Sequence, residues 1–145
     1  MIDGVVINKL TTHSDTRGFF REVVRFPEFK NIPVGQVSHS LVQEGVSKEG
    51  HGHVYQHQWN YVVSGRIKVT LIDTRVDSNT FKEVMEFVAG DENEPLAYYF
   101  PPGVLHGYTC IAGPLHIIYM TSGVYDPHDE IRMENKEWNV YIKGD

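Results

Sequence analysis

The chain has 145 residues, 41% of them apolar and 22% charged, which fits one folded domain over residues 1–145 and argues against disorder. A net charge of −6 excludes a global basic field for nucleic acid, and the single cysteine, Cys110, excludes an intrachain disulfide framework. The N-terminus carries no basic-then-apolar leader pattern and no apolar run approaches the roughly 18 residues of a membrane span, so a soluble, cytoplasmic protein is expected.

Helical periodicity is almost absent. Short runs rich in Val, Ile, Tyr and Phe recur between turn residues. Gly4–Leu10 and Phe19–Arg25 read as strands, the second ended by Pro27, and 27–30 reads as a helical turn. Val34–Val42 reads as a third strand. Trp59–Val63 and Ile67–Asp73 flank Ser64-Gly65 and read as a hairpin. Thr80–Val88 is a further strand, followed by a turn at Ala89-Gly90-Asp91. Ala97–Phe100 runs into Pro101-Pro102-Gly103, which breaks strand pairing. Leu115–Thr121 is the next strand and Trp138–Ile142 a last short one. Many short strands with Gly and Pro punctuation predict an all-β, closed or double-sheet architecture.

The stretch EGHGHVYQHQW, residues 49–59, concentrates histidine. In extended chain, residues two apart share a face, so His51 and His53 point together, and His57 joins them if the strand continues. A further imidazole, His106, follows the turn in PPGVLHG. Taken singly, each histidine is read more simply as a surface or satisfied core residue; the H-x-H pair with a distant P-x-G-x-x-H favours a shared pocket.

These spacings resemble the cupin superfamily. Gly45, His51, His53, Gln58 and Gly65 follow its first motif, with Gln58 where the motif has Glu. Residues 101–106 follow its second motif, with Cys110 at the place of its Asn. The resemblance implies a jelly-roll barrel, a double-stranded β-helix, with the site inside. It also offers, as an alternative to a cofactor-free site, a divalent metal held by His51, His53, Gln58 and His106. Imidazoles suit Zn, Fe, Ni or Cu, and a Gln carbonyl is a weaker donor than a carboxylate.

A closer resemblance is to the dTDP-4-dehydrorhamnose 3,5-epimerase family. It is carried by Asp15, Arg17, Gly18, Phe20 and Glu22, then by Gln36 and Ser40. Asp73, Arg75, Ser78, Thr80 and Phe81 continue it, followed by Pro101 through Gly107 and by Tyr119, Tyr125, Pro127 and Glu130. That family removes a proton alpha to the ketone of a nucleotide-linked 4-keto-6-deoxy sugar without a cofactor and returns one from the opposite face. Such chemistry needs a base poised near neutrality, an acid across the ring and a donor for the enolate oxygen.

By position, the resemblance makes His51 the base and Tyr119 the acid. Tyr125 is a second tyrosine near the substrate. Arg17, Phe19 and Glu22 belong to a segment that reaches the nucleotide of a partner subunit, which implies a homodimer. Gln36, Lys48, His53, Asn60 and His106 complete the expected substrate contacts. Lys48 stands where the family has a diphosphate-binding Arg, with Glu49 beside it, and Asn60 where it has a Lys near the enolate oxygen. The family's carboxylate partner of the base lies in a longer C-terminal region, so it is expected to be missing here. Residues 51–58 also resemble the H-x-H-x-x-x-H-Q of dTDP-sugar 3,4-ketoisomerases, which shift a proton between C3 and C4. The expected function is thus epimerisation of a nucleotide-linked keto-deoxy sugar in surface-polysaccharide synthesis. Ketoisomerase, metal-dependent cupin and non-catalytic sugar-binding cupin stand as alternatives. No nucleic-acid or membrane partner is expected.

Overall fold

The structure, a computed structural model, describes residues 1–90 and 94–143. Eight strands form one sheet in the order β1 (Val6–Lys9), β8 (Leu96–Phe100), β6 (Gln58–Asp73), β9 (Val104–Thr121), β5 (Ser47–His53), β10 (Glu130–Arg132), with β4 (Gln36–Val42) on β9 and β7 (Val84–Gly90) on β6. The short strands β2 (His13–Asp15) and β3 (Gly18–Phe20) form a separate hairpin. The architecture is all-β, a jelly-roll barrel of the cupin type, as the motifs lead one to expect.

The two long strands organise everything else. β6 and β9 pair from Gln58↔Thr121 to Asp73↔Val104, with register shifts between Val62 and Ser64, Ser64 and Arg66, and Arg66 and Ile67. Their first and last halves therefore bend apart and serve different neighbours, β8 and β4 at one end, β7 and β5 at the other. This corrects the expected hairpin at Ser64-Gly65. A Ser-Gly pair signals a turn only if its two flanking runs pair with each other, and here both pair with β9. Gly65 has φ 88°, and a Cβ there would sit 2.8 Å from the Ala112 carbonyl oxygen, so glycine is needed for the bend itself.

Other boundaries move for similar reasons. The expected strand at Leu115–Thr121 is the second half of β9. Arg21 to Arg25 lie outside any strand, and Pro27 sits in a short 3-10 turn at Phe26–Phe29. Thr80 is not in β7; its hydroxyl donates to the buried Asp73 carboxylate, with Ser78 and Arg75. Ala89 and Gly90 close β7, while Asp91 of the expected turn lies outside the described residues.

The predicted strand at Trp138–Ile142 is a helix, α1 (Asn135–Lys143). Its aromatic and β-branched residues suggest a strand locally. Trp138, Tyr141 and Ile142, however, fall at i, i+3 and i+4, one face of a helix. That face packs on Ile72 and Leu105, and Trp138 is fully buried. The main core fills the barrel from β6, β8 and β9, including Ile67, Val69, Leu71, Tyr98, Phe100, Leu115 and Ile117.

Candidate functional site

The site begins with an irregularity in β5. Lys48 pairs with Tyr108, His51 pairs with His106, and the register shifts between them. Gly50 occupies the bulge at φ 75°, where a Cβ would collide with the Met133 carbonyl. Beyond the bulge the strand alternates again. Gly52 presses on Leu105, and His51 and His53 turn the other way, into a cavity of about 270 Å³. β4 contributes Gln36 and Ser38, β6 Gln58, β9 His106, Tyr108, Tyr119 and Thr121, and the segment ahead of β10 contributes Tyr125 and Asp126.

Each of the two β5 histidines faces a carboxylate. Glu130 pairs across the strands with His53 in register, yet its Oε1 lies 3.5 Å from His51 Nδ1. Arg132, which donates to the same oxygen at 3.1 Å, holds Glu130 below the usual carboxylate range, and His51 acts in the same direction. Asp129, almost fully buried, places Oδ2 3.3 Å from His53 Nδ1 while accepting from the backbone N–H groups of Tyr55 and Gln56. Glu130 of β10 thus places a carboxylate beside His51, where the resemblance leads one to expect none.

A polar chain runs from the cavity into the barrel. His53 Nε2 meets Gln58 Oε1 at 3.1 Å, Gln58 Nε2 donates to Asn60 Oδ1 at 2.8 Å, and Asn60 Nδ2 donates to the Tyr98 hydroxyl at 2.9 Å. Burial pushes the Tyr98 phenol well up. His106 lies behind His51 and His53, with ring centroids 6.4 and 6.0 Å away, and stacks on Phe100 at 4.5 Å. Burial first, then its two histidine neighbours, pulls His106 down to about 3, so its imidazole is neutral at physiological pH. Its Nε2 is buried without a partner. On the cavity wall the Tyr108 and Tyr119 hydroxyls are 2.6 Å apart.

Of the residues singled out in the sequence, Gln36, Lys48, His51, His53, His106, Tyr119 and Tyr125 share this cavity, as does Gln58. Asn60 does not line it. Being short, it ends beneath Gln58, 1% exposed, with both amide atoms engaged, so it is not placed to reach a substrate oxygen. His57 is also elsewhere: β5 ends at His53, and His57 Nδ1 meets the Tyr99 hydroxyl at 2.6 Å. Arg17, Phe19 and Glu22 belong to the β2–β3 hairpin and its exit, away from this cavity. There Arg17 pairs with Asp15, Glu22 with Arg25, and Arg21 covers the Phe19 ring.

Ser38, Gln56, Tyr108, Thr121 and Asp126 line the cavity without having been singled out. Tyr108 stands two residues after His106 on the same strand face, and Ser38 two after Gln36, so period-two alternation was the available signal. Asp129, just ahead of the three-residue β10, has no such signal, and Glu130 is readable only as a residue of the family motif.

His53 and Gln58 bond to each other, and among the described residues no group of three or more His, Cys, Asp or Glu side chains is placed to hold a metal ion. The arrangement offers groups suited to proton transfer: an imidazole beside a carboxylate, a pair of phenols and neutral polar groups around a partly apolar cavity.

A family model described as dTDP-4-dehydrorhamnose 3,5-epimerase matches residues 1–143. The chain is 42% identical over 128 residues to the spore coat polysaccharide biosynthesis protein SpsL of Bacillus subtilis, a match covering 88% of this chain and 84% of SpsL. It is 30% identical over 156 residues to the probable low-salt glycan biosynthesis epimerase Agl13 of Haloferax volcanii, covering 99% and 98% of the two chains. The solved structure of the rmlC epimerase of Mycobacterium tuberculosis superposes with a TM-score of 0.83 at 25% identity, over 90% of this chain and 69% of that one.

Proposed function

The chain belongs to the dTDP-4-dehydrorhamnose 3,5-epimerase family, and from that membership we propose that it epimerises a carbon alpha to the ketone of a nucleotide-linked 4-keto-6-deoxy sugar, using His51 as base and Tyr119 as acid. The observation that carries the proposal is that His51, with a carboxylate 3.5 Å from Nδ1, lines the same cavity as Tyr119. With Nδ1 turned to Glu130, His51 has Nε2 left to take the carbon's proton. The resulting negative charge develops on the ketone oxygen. Asn60 is buried away from the cavity, and His53 and Gln58 already direct their polar atoms to Asp129, Asn60 and each other, so we assign the stabilising donor to His106, which lines the cavity. Lys48, at the cavity rim, provides a point charge for diphosphate.

In the same proposal the enzyme is a single domain over residues 1–145, works without a cofactor, and acts as a cytoplasmic homodimer. The β2–β3 hairpin, with Phe19 58% exposed and Arg17 and Glu22 nearby, then serves the partner's cavity rather than its own. SpsL, by its name a spore coat polysaccharide protein, supports a place in surface-polysaccharide synthesis.

A second reading, 3,4-ketoisomerisation, draws on one observation: His51 and His53 each face their own carboxylate in one cavity. Two carboxylate-paired imidazoles suit transfer between neighbouring carbons through an enediol.

Incubation with dTDP-4-keto-6-deoxyglucose in D₂O, followed by NMR, separates these outcomes. Epimerisation predicts deuterium at C3, C5 or both with inversion, and loss of at least about a hundredfold in rate for His51→Ala. A 3-keto product would establish the second reading. Unchanged exchange in His51→Ala would overturn the assignment of the base.

A further inference from the structure

The Tyr108 and Tyr119 hydroxyls touch at 2.6 Å on the cavity wall. Both residues belong to β9 but lie on opposite sides of its bend. Tyr108 is opposite Lys48 of β5 and Val69 of β6, whereas Tyr119 is opposite Ser38 of β4 and Asn60 of β6. The bend of the long strand thus brings together two phenols from separate parts of the sheet.

Tyr108 is 5% exposed, and its ring belongs to the core cluster with Ile67, Val69 and Phe100. Packing alone would be met by a phenylalanine. The hydroxyl instead emerges at the cavity and ends on the residue assigned as the acid. Burial pushes the Tyr108 phenol far up, and the bond to Tyr119 pushes it the same way. Tyr108 is therefore protonated in the resting site, where either hydroxyl can be the donor; the arrangement that leaves the Tyr119 proton free for carbon has Tyr108 donating. A donor fixed on the Tyr119 oxygen stabilises the negative charge left there once its proton has gone to carbon.

We propose that Tyr108 is a positioning residue that orients Tyr119 by hydrogen bonding and restores its proton in each turnover. The proposal rests on the reading of Tyr119 as the acid. The protons balance as follows. His51 takes the proton from the carbon, and the C–H electron pair forms the enolate. The Tyr119 O–H bond breaks as a new C–H bond forms on the opposite face and the ketone returns. Water delivers a proton to Tyr108 as the Tyr108 proton moves to the Tyr119 oxygen, so no phenolate is left at the buried Tyr108, and His51 releases the abstracted proton to water. Nothing is oxidised or reduced.

The relay separates two events that a packing role would not separate: removal of the proton by His51, and inversion by the tyrosines. The test follows both at once in Tyr108→Phe, Tyr119→Phe and the unaltered protein, with dTDP-4-keto-6-deoxyglucose in D₂O and NMR. Tyr108→Phe is expected to keep exchange with retained configuration within about twofold, with KM unchanged, while inversion falls about tenfold or more. Tyr119→Phe is expected to show the same uncoupling more strongly. If Tyr119→Phe uncouples and Tyr108→Phe keeps the unaltered ratio of inversion to exchange, the relay is wrong and the acid stands. If Tyr108→Phe lowers exchange and inversion together, Tyr108 has a packing or binding role and the relay is overturned. If Tyr119→Phe inverts normally, the acid assignment fails and the relay with it.

Discussion

At the scale of single residues, the cavity departs from its family resemblance in the carboxylate that faces His51. The resemblance predicts that His51 loses its carboxylate, yet Glu130 stands 3.5 Å from its Nδ1. Glu130 is one residue from Asp129, which faces His53, so two adjacent carboxylates serve two histidines two residues apart. A carboxylate near Nδ1 stabilises an imidazole when it takes a proton. Glu130 is partly open to solvent and shared with Arg132, so its effect falls short of a fully buried partner. Glu130→Gln is expected to lower kcat about 10- to 100-fold with little change in KM, since it removes support for the protonated base but leaves the cavity's shape. Steady-state kinetics checks this; an unchanged kcat would remove Glu130 from the mechanism. The carboxylate was legible as a motif residue, but its partner was not, because the contact depends on β10 pairing with β5.

At the scale of elements, the strands that alternate were readable and the places where alternation breaks were not. β1, β4 and β8 are found within a few residues of their predicted spans, because each carries its own pattern of Val, Ile, Tyr or Phe. β6 was split into a hairpin because Ser64-Gly65 gives the same local signal in a turn and in a bulge, and only its partner distinguishes them. The sequence of α1, NKEWNVYIK, suggests a strand because its propensity is mixed and its helical stripe is only three residues. What makes it a helix is the cover it gives Ile72 and Leu105 on the outside of the barrel. Trp138→Ala, which empties the centre of that contact, is expected to cost about 3–5 kcal/mol. Urea unfolding measures it, and a loss below about 1 kcal/mol would show that α1 is peripheral to stability. The helix also contacts β5, so its loss threatens the bulge that aims His51 and His53.

At the scale of the whole molecule, β4 is built inside out. Gln36 and Ser38 face the cavity, while Val37 and Leu41 on the opposite face are 65% and 56% exposed. β4 pairs only with β9 among the described residues, so its other edge and its apolar face are both open. A second copy of the chain would cover both, in line with the proposed homodimer and with a β2–β3 hairpin whose residues do not line the His51 cavity of its own chain. Light scattering after size exclusion is expected to give twice the 16.6 kDa chain mass. Val37→Glu with Leu41→Glu is expected to give the monomer, and a monomeric mass for the unaltered protein would overturn the dimer. The sequence by itself determined the strand-rich architecture, the histidine pair and the family, because alternation, turn residues and motif spacing are properties of the chain taken a few residues at a time. Only the tertiary structure decided that Asn60 lies beneath the cavity, that Glu130 serves His51 and that Tyr108 meets Tyr119. Each of those depends on the bends of β5, β6 and β9, where a shift of register changes which side chains share a face.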